Sequence, residues 1–188
     1  GHGRLDAYPL HATLAVGVAP GAAPETLAAV QAFASGLQAL PGPPSYNVLM
    51  LGDVIQGRDV HLRMLAAHDF HLPFRKVAPF TTTADLTLAD NECDYSDTLA
   101  NPVDRDPHTF QFVTKTAAAD GLKLAAVHGV SLANNHSMNM GHAGLVDTLA
   151  ALDARGILHT GAGLNLAEAR APAVFTVPGV RIALLGYN

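Results

Sequence analysis

Three short apolar runs in this chain end in polar clusters whose side chains can do chemistry. They are Gly52-Asp53, Asp90-Asn91-Glu92 and Asn134-Asn135-His136. Carboxylates, amide oxygens and an imidazole are hard or borderline donors, and as a set they suit Mn, Fe, Zn or Mg better than a soft metal. An imidazole also exchanges a proton readily near neutral pH. Each residue has a plainer role open to it. An Asp after Gly at a strand end is often a turn or N-cap residue, and Glu92 alone fits a solvated loop acid. Asn134-Asn135-His136 is the stronger signal, since two amides and an imidazole directly after a buried strand exceed what a turn requires. Cys93 is the one cysteine, so an internal disulfide and a Cys-based metal cage are both impossible, and it reads as a small buried side chain.

The elements must bring those clusters together. Open α/β sheets bind ligands outside the carboxyl ends of their strands. Strands are predicted over 48–51, 85–89 and 127–133, each running into one cluster. Helices are predicted over 60–67, 115–126 and 144–155. The last has Leu145, Leu149 and Leu152 on one face and Gly156 as its stop. A short strand follows at 157–160. Residues 173–177 and 180–185, around Pro178-Gly179, read as a β-hairpin. The alternation implies an α/β class with a sheet mostly parallel in its first part. Residues 1–46 read as an N-terminal extension or separate small unit. It has a strand-like run over 12–19 and a helical pattern from Pro24, with Leu27, Val30, Ala34 and Leu37 on one face. Pro41-Gly42-Pro43-Pro44-Ser45 would link it to a domain over 47–188.

The chain has 188 residues, 49% hydrophobic and 14% charged, enough for a sizeable core and too apolar for a mainly disordered chain. No run approaches the roughly 18 apolar residues of a membrane span. A net charge of -5 argues against nucleic acid as a partner, because phosphate binding needs a basic footprint. Ten histidines stand against 11 Lys+Arg. His61 and His68 can share a helix face, but only His136 falls in a motif with a chemical role.

Gly52-Asp53-Val54-Ile55-Gln56-Gly57-Arg58 resembles the GDxxxGR opening of the bacterial capsule synthesis protein family, of the CapA or poly-gamma-glutamate type. The run from Ala84 to Cys93 resembles its ADLxxANLEC block, and the run from Ser131 to Gly141 its SLANNHSxDYG block. The similarity continues to Tyr187. The family resembles the calcineurin-like metallophosphoesterases. The resemblance therefore implies a sheet sandwich flanked by helices, of which this chain would hold the N-terminal part, and a two-metal site. By match, Asp53 is the first metal ligand, Glu92 the bridge, Asn135 the second-metal ligand and His136 the general acid. The cofactor implied is a divalent metal (Mn, Fe, Zn or Mg), which would activate a bridging water for in-line displacement. Arg58 would hold a substrate anion. Asp90, Asn91, Asn134, Asn139 and His142 are candidates to support and orient those residues or to bind substrate.

Three positions depart from the pattern. Asn139 replaces an Asp, which removes a carboxylate that would orient His136. Asp90-Asn91 replaces Asn-Leu and adds a charge beside Glu92. Ile55 stands where the phosphoesterases proper carry a His ligand. The family's domain normally goes on to His-bearing motifs beyond position 188, so association with that remaining half, or with a second copy, is expected. The function implied is surface-polymer biosynthesis with a metal-dependent, phosphoesterase-like hydrolase site. The alternative is a non-catalytic extracytoplasmic factor that binds or helps export an anionic polymer. A third possibility is a fold retained with its site decayed. Expected partners are the anionic surface polymer or its precursor and other capsule-assembly membrane proteins. The expected location is outside the cytoplasm, membrane-associated or secreted.

Overall fold

The computed structural model describes residues 45–98 and 110–188, together with Ala28 and Ala32, which are helical. The chain divides into two compact units, Gly1–Ser45 and Tyr46–Asn188, and the second is described below. The strand expected over 12–19, and most of the helix and linker expected after it, lie outside the described residues.

In chain order, β1 (Val48–Val54) leads to α1 (Arg58–Ala67) and a short α2 (Ala78–Thr81). β2 (Leu86–Asn91) is followed by two-residue strands β3 (Asp94–Tyr95) and β4 (Val113–Thr114), a 3-10 turn at Thr116–Ala118, and α3 (Ala119–Leu124). Then come β5 (Val127–Ser131), α4 (Gly141–Asp153), β6 (Leu158–Thr160), α5 (Leu166–Ala169) and the hairpin β7 (Ala173–Val177) and β8 (Val180–Leu184). The main sheet is fully parallel, in the order β1-β2-β5-β6. β3 pairs with β4 in parallel, and β7 with β8 antiparallel.

Both faces of this sheet are covered, which is why its central strands read as short continuous apolar runs rather than alternating ones. On one face Met64 of α1, Leu122 of α3 and Leu145, Leu149 and Leu152 of α4 pack with Val127 and Val130 of β5. On the other, Leu86 and Leu88 of β2 pack against Ala173 and Phe175 of the hairpin, with Ile182 and Leu184 alongside. The α/β class with a parallel sheet flanked by helices is therefore the one adopted, and it is consistent with a metallophosphoesterase-like fold.

Two boundaries differ in ways that matter for the site. β1 runs on to Val54 and β2 to Asn91, beyond the ends expected at 51 and 89. Asp53 pairs with Asp90 and Val54 with Asn91, after a register shift between Met50 and Asp53. The acids are thus placed by strand pairing, not by loops. The helix expected over 115–126 is interrupted at its start. Lys115 stays extended, and the Asp97 carboxylate accepts from both the backbone N–H and the hydroxyl of Thr116 (3.2 and 2.8 Å). α2, α5 and the β3–β4 pair were not expected, since pieces of two to four residues carry no readable period. No helix among the described residues is long and apolar enough to cross a membrane.

Candidate functional site

The carboxyl ends of β1, β2 and β5 converge. Strand pairing sets Asp53 beside Asp90, and the Glu92 N–H donates to the Val54 carbonyl (3.2 Å), which carries the next acid to the same edge. The Glu92 side chain is only 13% exposed. Burial pushes its carboxyl up from the ordinary glutamate value, the charges of Asp53 and Asp90 push it further, and His136 opposes them. His136 Nε2 lies 3.9 Å from Glu92 Oε1, too far for a hydrogen bond.

The loop after β5 is built around two amides. Asn134 Nδ2 faces both oxygens of Asp90 (3.2 Å each) and the Asn91 carbonyl (3.0 Å). Its Oδ1 accepts from the His136 N–H and the Ser137 hydroxyl, both at 3.0 Å. Every polar atom of that side chain is used to tie the β5 loop to the end of β2. Asn139 Oδ1 accepts from the Phe112 N–H (2.8 Å) and lies 3.0 Å from His136 Nδ1. The Phe112 ring leans on the imidazole, with centroids 4.4 Å apart. The carboxylate expected to be missing beside His136 is absent, and the amide oxygen of Asn139 stands in its place.

Not every candidate faces the cleft. Asn91 is 1% exposed, since it follows Asp90 on the opposite side of the pleat. Its Nδ2 donates to the Cys93 carbonyl (2.8 Å), and its Oδ1 lies 2.7 Å from the Tyr95 hydroxyl, which also reaches Gln56 Oε1 (2.6 Å). Both ends of the Asn91 amide are therefore spent on Cys93 and Tyr95, which favours the supporting role over substrate binding among the two expected of it. Asn135 and His142 are exposed, the first on the turn between Asn134 and His136, the second in the first turn of α4. Among the described residues, no group of three or more His, Cys, Asp or Glu could hold a metal ion.

Residues 47–188 match the family described as bacterial capsule synthesis protein PGA_cap. The chain belongs to the bacterial capsule synthesis family. It is 26% identical over 142 residues to the capsule biosynthesis protein CapA of Bacillus anthracis, covering 76% of this chain and 34% of that relative. It is 46% identical over 59 residues to a probable polyglutamine synthesis accessory protein of Mycobacterium tuberculosis, 31% of this chain and 16% of the relative. An uncharacterized protein of Sinorhizobium fredii is 28% identical over 142 residues, 74% of this chain and 30% of the relative. The chain thus spans about a third or less of the length of these curated relatives.

In this family member, the segment Phe110 to Phe112 forms one wall of the site. Gly57 makes the approach possible: a Cβ there would sit 3.0 Å from Phe112 Cα and Val113 N. Arg58, next in sequence, opens α1 with a left-handed φ of 53° and holds its guanidinium 5.5 Å from the Phe110 ring centroid. The candidate anion ligand is therefore stacked at this wall. Three contributors were missed by motif reasoning. Asp94 is 1% exposed and accepts the Met140 N–H (2.7 Å) at the start of α4. Burial raises its carboxyl to about 6, against the opposing Met140 bond and the pull of His136. It lies one residue beyond the Ala84 to Cys93 block, and its position two residues after Glu92 was the available signal. Gln56 lies inside the first motif. Phe112 carries no pattern at all, and only the folded chain brings it to His136.

Proposed function

We propose that this capsule synthesis family member carries a hydrolytic site used in making an anionic bacterial surface polymer of the capsule or poly-gamma-glutamate kind. The observation that supports it best is the Glu92–His136 pair. A largely buried carboxyl, raised above the ordinary glutamate value and 3.9 Å from a fixed imidazole, is an arrangement suited to handling a proton. His136 is the group that would deliver a proton to the leaving oxygen. Asp53 and Asp90 add negative charge around Glu92, which favours a cation at this edge of the sheet. The polymer class follows the names of the relatives. A purely binding role fits less well, since a net charge of -5 opposes unmediated polyanion binding. The site would work outside the cytoplasm, and cell fractionation checks that placement.

The test measures bound divalent metal and hydrolysis of a generic phosphodiester in the intact protein. His136→Ala is expected to lower turnover by about 100-fold or more while leaving metal content unchanged. Asp53→Ala is expected to lose both. An intact protein that neither binds metal nor turns over would sink the hydrolytic reading in favour of polymer binding.

A further inference from the structure

We propose that Asn139 sets the position of the proton on His136. With the Phe112 N–H it holds the neutral imidazole as the Nδ1–H tautomer, so that the Nε2 lone pair faces Glu92. A side-chain amide can be turned either way, and its two ends are told apart by their partners. The backbone N–H of Phe112 can only donate, so the Asn139 atom it meets at 2.8 Å is the oxygen. That same oxygen lies 3.0 Å from His136 Nδ1. Two acceptors do not bond, so Nδ1 carries the hydrogen. In the neutral ring Nε2 is then the acceptor. The ring has little freedom to escape this choice. Phe112 packs against it at 4.4 Å, and the His136 N–H is held on Asn134 Oδ1 at 3.0 Å. A ring flip would set a carbon against Asn139 Oδ1 and break the bond.

The consequence lies on the other side of the imidazole. Nε2 and Glu92 Oε1 face each other at 3.9 Å. In the hydrolytic reading, on which this consequence rests, Nε2 is the atom that hands a proton to the leaving oxygen; it takes that proton up from solvent beforehand and returns to its lone-pair form once the proton is given, while Nδ1–H stays on Asn139 throughout. An Asp at 139 would offer the same acceptor to Nδ1 with a full charge. Asn offers it without one, and can do so only because Phe112 decides which end of the amide faces the ring.

The test reads the ring nitrogens directly. In the intact protein, with 15N-labelled histidine and at a pH about two units above the ordinary histidine value of 6.5, His136 is expected to show a protonated Nδ1 and an unprotonated Nε2. Asn139→Asp keeps that signature. Asn139→Leu moves it toward the Nε2–H form that free histidine prefers. A wild type with Nε2–H overturns the proposal, and so does an Asn139→Leu variant that folds and keeps Nδ1–H. If Asn139→Leu does not fold, the wild type and Asn139→Asp decide the matter alone. The expected tautomer in a protein without phosphodiester turnover would leave the role of Asn139 standing and remove the hydrolytic reading. Turnover with the opposite tautomer would do the reverse.

Discussion

His61 sits in α1, 1% exposed, its Nδ1 2.7 Å from the Thr114 hydroxyl and its Nε2 without a hydrogen-bond partner among the described residues. Burial first, and the charge of Lys115 second, lower its pKa from the ordinary histidine value. The sign of the linkage follows. Below about pH 6.5 the unfolded chain takes up a proton that the fold refuses. Stability from this residue is complete above that pH. It falls as pH drops, by at most about tenfold in the folding constant per unit, until the folded-state pKa is reached. Urea midpoints at pH 7.5 and 5.5 should therefore lie further apart in wild type than in His61→Gln, and equal spacing would contradict this. At the same scale, Asn134 shows how far single residues were legible. The Asn134-Asn135-His136 string marked the site, but nothing in the string tells that Asn134 is consumed by Asp90 and the loop while Asn135 stays exposed. That division depends on where β2 ends, two residues later than its apolar run suggests.

At the scale of elements, the hairpin of β7 and β8 is a lid over the second face of the sheet. Phe175 is its main anchor, 7% exposed and packed with Leu86 and Leu88. Gly129 in β5 leaves room for it, since a Cβ there would meet the ring at 2.3 Å. Phe175→Ala should cost about 3–5 kcal/mol, read as a drop in ΔG from urea unfolding. The loop from Leu132 to Met140 is a different kind of element, held by polar bonds. Asn134→Ala leaves the His136 N–H and the Asp90 carboxylate without a partner and should cost about 1–3 kcal/mol. It should also broaden the His136 side-chain signals in NMR, while Phe175→Ala leaves them sharp. The main strands were legible as short apolar runs ending in polar clusters, α1 and α4 as helical patterns, and the hairpin by its Pro-Gly turn. β3 and β4 were not, because Asp94, Tyr95, Val113 and Thr114 pair across a gap in sequence and contribute two residues each.

At the scale of the whole molecule, Tyr46–Asn188 is one compact unit with both faces of its sheet occupied. A chain beginning at Tyr46 should therefore unfold in a single transition, with coincident urea curves by far-UV CD and tyrosine fluorescence. Two separated transitions would show that the hairpin or the β3–β4 pair folds apart from the main sheet. The parallel class was legible from strand–helix alternation alone, since parallel strands require crossovers of that length. The convergence of the three polar clusters was legible only as a rule about carboxyl ends, and the register of Asp53 against Asp90 made it concrete. The aromatic wall was not legible, because Phe110 and Phe112 follow a stretch without hydrophobic period.

Cys93 lies one residue from Glu92, 1% exposed, with its thiol driven far above the range where thiolate forms at neutral pH. Only the thiolate reacts, so the folded protein is silent to a thiol-labelling reagent. Since the sequence holds no other cysteine, every labelling event reports one place: the strand end beneath the acids coming apart. The molecule thus carries a stopwatch for the breathing of its own site. Anything that settles on Glu92 and His136 should slow that stopwatch, even when nothing is turned over.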